Sequence, residues 1–406
     1  MRFKIFLVIL RVLIRSVISM RIMQIRFSHQ ISGKKSAVHS FAFIFVLIAI
    51  VLTKGLNAEA QVLSDTARIT QVRNCIADIY NCRFTEAEKI VGDFEKSYPA
   101  SPVPALIKGM IIYWTNYPLL PWSAERATYE KELKLCITLS EKKNPGGDEA
   151  EYLLADMCAR GLLMLFYSDN DMSSDVFSVA RSSYRYLREC FNYTSVYPDF
   201  YFFTGIYNYY REKYPEIHPI YRPFTIIFPR GDIKKGIEQL QTAFHQSIVL
   251  NAEAGNFLSW VYSGYEFDNE SSIVFNKQLC EKYPENLYYL ANYIKYLLLG
   301  KKYDEARKLI EEPGDHNRNS YFRAQLLVFS GILQEKKYMN PEKAREDYET
   351  AIKSLTMFGD YSNEFKAYAY FGLSRVGDPG KSGEKKKKYR REALKYAEFS
   401  HMNFDD

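Results

Sequence analysis

The chain has little of what metal, redox and nucleic-acid chemistry require. Its six histidines (His29, His39, His218, His245, His316 and His401) are scattered, with no pair at helical spacing, so they offer no metal-ligand set. Its six cysteines (Cys75, Cys82, Cys136, Cys158, Cys190 and Cys280) contain no Cys-x-x-Cys, which excludes a zinc ribbon and a thioredoxin-like dithiol. Cys75 and Cys82, if on one helix, would stand ~10.5 Å apart along its axis, too far to bridge. All six therefore read as small buried apolar residues. No Ser, Cys or Thr sits in a recognisable nucleophile elbow. No catalytic residue, cofactor or metal is expected.

The chain also lacks a general basic excess. Its formal charge is +6, but residues 1–60 hold nine Lys or Arg against the single acid Glu59. Without that segment the balance turns slightly negative, which argues against a nucleic-acid binder. The segment itself reads as an export signal. Lys34 and Lys35 precede the apolar run Phe41–Leu52, and Ala58-Glu59-Ala60 fits small-x-small cleavage, leaving Gln61 first. The run is shorter than the ~20 residues that span a bilayer, favouring a cleaved signal and a periplasmic or otherwise exported protein. The alternative is an inner-membrane anchor at Phe41–Leu52, and membrane contact is expected only through that segment. The arginine-interrupted stretch before it suggests that translation starts at Met20 or Met23.

What is abundant is helical periodicity and tyrosine, 33 of 406 residues. Pro284 to Ile310 reads as two antiparallel helices turning at Gly300. Leu287, Leu290, Ile294 and Leu297 share one face; Tyr303, Ala306 and Ile310 face inward on the second helix. Phe84, Ala87, Ile90, Val91 and Phe94 make a similar stripe, with Thr85 and Glu88 as a capping box. Tyr98-Pro99, Tyr197-Pro198 and Tyr283-Pro284 close hairpins. Further helices are expected near 65–80, 103–114, 123–141, 149–166, 176–193, 200–214, 232–249, 252–264, 270–282, 318–336, 341–356, 362–376 and 384–399. In the aromatic helix 200–214, Gly205 marks a close crossing, since an interior glycine costs ~1 kcal/mol. Asp232 reads as an N-cap.

The run Gly-Lys-Lys-Tyr-Asp-Glu-Ala from Gly300 to Ala306 resembles the turn and small-residue position of a tetratricopeptide hairpin. The spacing Tyr348-x-x-Ala351 resembles that repeat too. The stretch from Tyr197 to Phe244 is similar to exported bacterial tetratricopeptide proteins. The resemblance implies an all-α, right-handed α-solenoid of antiparallel helix hairpins and brings no catalytic residue. Ile294 falls where the repeat wants a small residue. The domain reading is 1–60 leader and signal, 61–214 N-terminal hairpins, 215–231 a proline-rich crossover, 232–399 C-terminal hairpins, and 400–406 a tail.

In such a superhelix the first helix of each hairpin lines a concave groove, so the resemblance points to Tyr288, Asn292 and Tyr296, opposite the leucine face. Tyr201 and Asn208 form a second candidate face. The expected function is a non-catalytic scaffold binding a protein or peptide in the cell envelope through aromatic anchors. One alternative is a carbohydrate-binding solenoid, which needs Trp114, Trp122 or Trp260 exposed. Another is an enzyme with 215–231 as a lid. Gly380-Lys381-Ser382 resembles the end of a phosphate loop, but Arg375 stands where that pattern needs glycine and 365–376 reads as helix. Lys385–Lys388 with Arg390 and Arg391 reads as a solvated helix face.

Overall fold

The computed structural model describes residues 62–63, 66–142, 148–225, 228–311, 319–377 and 383–405. The leader, the Phe41–Leu52 segment with its cleavage site, and Gly380-Lys381-Ser382 lie outside the described residues. No helix among the described residues is long and apolar enough to cross a membrane.

The protein is all-α, with no strand among the described residues. The first half holds α1 (Thr66–Tyr80), α2 (Phe84–Ser97), α3 (Val103–Thr115), α4 (Arg126–Lys142), α5 (Glu149–Asp169), α6 (Ser173–Cys190) and α7 (Phe200–Ile217). A short turn of helix, Pro219–Tyr221, leads into α8 (Arg222–Thr225). The second half holds α9 (Ile233–Gln246), α10 (Asn251–Gly264), α11 (Asn269–Lys282), α12 (Leu287–Leu299), α13 (Tyr303–Glu311), α14 (Ser320–Lys336), α15 (Pro341–Leu355), α16 (Asn363–Val376) and α17 (Gly383–Tyr396). The longer helices each pack on their neighbours in the chain, and α1/α3, α3/α5, α12/α14 and α14/α16 also touch. This pairing is consistent with a helical solenoid.

Local chemistry explains the helix ends. Asp232 caps α9 by accepting from the Lys235 N–H at 2.9 Å. Asn340 caps α15 and precedes Pro341, whose missing N–H is harmless at the first helical position. Asn286 caps α12 by accepting from the Tyr288 N–H at 3.0 Å. One expectation is corrected. The N-cap position of α2 is Arg83, without a side-chain cap, because the helix starts at Phe84 and takes Thr85 into its first turn. The expected turn at Gly300 stands, with Gly300 as the C-cap of α12 and Lys301 in the left-handed conformation (φ 59°). Gly300 also serves a close approach, since a Cβ there would lie 2.8 Å from Ile273 Cδ1.

The core contains two tight sockets built on glycine. A Cβ on Gly205 of α7 would lie 2.9 Å from the Gly236 carbonyl of α9, so these helices cross backbone to backbone. The Tyr348 ring of α15 lies between Gly331 of α14 and Gly372 of α16, where added Cβ atoms would come within 2.6 Å and 2.2 Å of it. Its hydroxyl donates to Glu335 at 2.8 Å, and Glu335 in turn holds Arg375.

Buried polar groups tie distant segments. Asp199, fully buried, accepts from the backbone N–H groups of Ile248, Val249 and Leu250. Glu151 accepts from Val62 and Leu63 N–H and from the Ser101 hydroxyl. The first helix also meets the second half: Asn286 Nδ2 donates to the Tyr80 carbonyl at 3.0 Å, and Tyr80 Oη donates to Glu253 at 2.9 Å. Cys75, Cys136, Cys158 and Cys190 are buried as expected of small apolar residues. Two depart from that expectation: Cys280 is half-buried, and Cys82 occupies the left-handed turn after α1 at φ 57° and is exposed.

Candidate functional site

Side chains of α10, α12 and α14 line a partly open cavity of about 260 Å³, together with Tyr117, the end of α5, the start of α16 and residues 395–398. The helices are polar on this side because an amide and an aromatic recur four residues apart, one turn along a helix face. The pairs are Asn256 and Trp260 on α10, Tyr288 and Asn292 on α12, and Tyr321 and Gln325 on α14. The amides Asn256, Asn292 and Gln325 fall thirty-six and thirty-three positions apart in the chain.

A knot of rings forms one wall. Tyr117 stacks on Trp114 (5.6 Å between centroids) and meets Tyr288, Tyr321 and Tyr361 edge-on at 5.7, 6.2 and 6.1 Å. Burial holds the phenols of Tyr117, Tyr321 and Tyr361 well above their ordinary range, so they act as neutral hydroxyls. Asn256 Nδ2 donates to Tyr288 Oη at 2.9 Å, and Asn292 Nδ2 reaches Asn256 Oδ1 at 3.4 Å.

The charged lining is specific in its arrangement. Lys295, 3% exposed, places its ammonium 3.0 Å from Glu364 Oε1 and 4.6 Å from the centre of the Tyr296 ring. Tyr368 Oη donates to the same Glu364 oxygen. Asp169, Asp171 and Glu398 add carboxylates to the lining. Gln325 is also 3% exposed, and its Oε1 has no hydrogen-bond partner. A buried acceptor left unpaired costs about 1–3 kcal/mol.

The chain after α17 makes the remaining side. Phe399 packs on Trp260 and Tyr265, at 5.6 and 5.1 Å, over Gly264. Phe404 sits on Tyr368, and Arg375 donates to the Asn403 carbonyl.

Of the residues singled out in the sequence, Tyr288, Asn292 and Tyr296 all line this cavity. Asn292 and Tyr296 are buried, and Tyr288 is half-buried. Tyr201 and Asn208 do not line it. Tyr201 packs against the main core, and buried Asn208 is spent on the α7/α9 crossing, donating to Gln239 Oε1 at 2.7 Å. Trp260 lines the cavity, Trp114 is buried in the ring wall, and Trp122 is 62% exposed. Gln325, Lys295, Glu364 and Asp169 were missed; the recurring aromatic–amide pairing was the signal that could have found Gln325. Among the described residues no group of His, Cys, Asp or Glu is placed to hold a metal. The chain matches no protein-family model, no curated protein and no solved structure.

Proposed function

We propose that this is an exported, non-catalytic binding protein whose cavity takes a compact polyhydroxylated ligand, of the size of one or two sugar rings. The observation that carries it is the cavity lining: aromatic side chains alternate with amides, and the Gln325 acceptor is buried without a partner. Aromatic rings offer apolar faces to sugar C–H groups, and amides exchange hydrogen bonds with hydroxyls. About 260 Å³ is at the small end for ligand sites. It suits a ring or two better than an extended peptide, which advances roughly 3.3 Å per residue. The array itself reads as a right-handed, tetratricopeptide-like solenoid. The near-34-residue recurrence of Asn256, Asn292 and Gln325 supports that register.

A protein partner is the second reading, favoured by an apolar patch outside the cavity. Trp122, resting on Gly359, and Met357 are both exposed.

The test is a glycan array probed with the full chain, beside a Tyr288→Ala/Asn292→Ala variant checked for helicity by circular dichroism. Glycan signal lost in the variant is expected. No glycan signal, with one defined protein captured by both chains, would replace this reading with the second. Export is checked by the mature N-terminus, which mass spectrometry should place at Gln61.

A further inference from the structure

Four hairpin turns of the second half, α10–α11, α12–α13, α14–α15 and α16–α17, follow one another along one edge. Contacts join each to the next. Lys302 pairs with Glu270 at 3.1 Å, Lys337 pairs with Asp304, and Arg345 donates to the Gly377 carbonyl at 2.7 Å. In the first three turns the left-handed residues are Phe267, Lys301 and Met339, at φ 57°, 59° and 53°. Glycine or asparagine takes that conformation with least strain. Two of the three are instead large apolar residues held out in water. Met339 is 76% exposed, and Phe267 is 69% exposed although it touches His401. A single exposed apolar side chain needs no explanation. Two at the same turn position on one edge, each at a backbone cost, do.

Charge is a second observation. The edge ends at the start of α17, where Lys385–Lys388 stand with the single acid Glu384. Cations at a helix N-terminus oppose its dipole, so the cluster does not serve the helix. Lys386 lies against Gly377 of the α16–α17 turn. Lys301, Lys386 and Lys387 are exposed and make no ion pair among the described residues. Of the acids beside the other turns, Glu270 and Asp304 are held by Lys302 and Lys337, while Glu305 and Glu342 are exposed. Apolar tips parted by ion pairs do not form the contiguous apolar centre of a protein interface. They fit a bilayer surface, where apolar side chains enter between headgroups and lysines meet phosphates.

We propose that this edge docks on an anionic lipid bilayer, Phe267 and Met339 entering the interface and the lysines at the α17 end meeting lipid phosphates. The proposal is independent of what the cavity binds.

The test is flotation of the full chain with vesicles of phosphatidylglycerol and phosphatidylcholine, against vesicles of phosphatidylcholine alone. Binding is expected to be about tenfold or more tighter on the anionic vesicles and to weaken at high salt. Phe267→Gly/Met339→Gly and Lys386→Glu/Lys387→Glu should each weaken it about tenfold or more. Both pairs are expected to keep the fold, checked by circular dichroism, because glycine relieves the left-handed backbone and acids suit a helix N-terminus. A Met339→Trp reporter reads the edge directly: its added fluorescence should shift to the blue on anionic vesicles and be quenched by brominated lipid. Equal flotation on neutral vesicles, flotation that persists in both pairs, or a reporter that neither shifts nor is quenched overturns the proposal. Capture of one defined protein, lost in the glycine pair and without flotation, overturns it in favour of a protein site on the same edge.

Discussion

Helix α14 borders two tyrosine-rich regions. On one side Gly331 and Glu335 receive Tyr348, whose ring is clasped by glycines and whose hydroxyl is bonded. On the other, Tyr321 and Gln325 border a cavity, and the Gln325 oxygen is left without a partner. The residue types are alike and the outcomes opposite. In the socket every polar atom is used and no space remains, which is how a chain fixes its own packing. At the cavity, space and an unused acceptor coexist, an arrangement that lowers stability unless something else enters.

The contrast can be broken by substitution. Tyr348→Ala is expected to have the largest effect, about 4 kcal/mol, because it empties a socket that neighbouring helices cannot collapse into. A drop in urea midpoint with unchanged slope would show it; a loss below about 1 kcal/mol would deny the socket its role. Gly372→Ala comes next, at about 2 kcal/mol, since the new Cβ would meet the Tyr348 ring at 2.2 Å. Combined with Tyr348→Ala it should cost less than the sum, and strict additivity would separate the two sites. On the cavity side Tyr288→Phe removes the acceptor of Asn256 and should cost about 1 kcal/mol, read by the same denaturation curves. Smallest of all is Gln325→Leu. Removing an unpaired acceptor should leave stability unchanged or raise it by up to about 1 kcal/mol, read by the same denaturation curves. Destabilisation comparable to Tyr288→Phe would erase the difference between the two faces of α14.

Much of the helical pattern was legible because it is local. Apolar spacing marked the helices, Asp232 announced its cap, and Gly205 announced a crossing that Gly236 completes from α9. Tyr288, Asn292 and Tyr296 could be named because they oppose an obvious leucine face. Tyr201 and Asn208 looked equivalent, but α7 is buried on both sides, and a helix with two buried faces gives no periodic clue to which one meets a ligand. Lys295 was hidden differently. A lysine within Tyr293–Leu299 reads as a side chain reaching water, whereas its partner Glu364 arrives from a helix far along the chain. Cys82 and Lys301 depended on turn backbone that the sequence does not announce.

The Tyr80–Asn286 clasp carries a consequence of its own. An open repeat protein leans only on adjacent repeats, so its ends fray first and its length changes by whole units. Here residues about two hundred positions apart share hydrogen bonds and a tyrosine cluster of Tyr80, Tyr283 and Tyr289. That removes modularity. Excising or inserting a pair of helices between α1 and α12 would pull the clasp out of register, and melting α1 would take Tyr80 from the tyrosine cluster that includes Tyr289 of α12. The clasp therefore couples the two halves of the chain, so that neither is expected to unfold without the other.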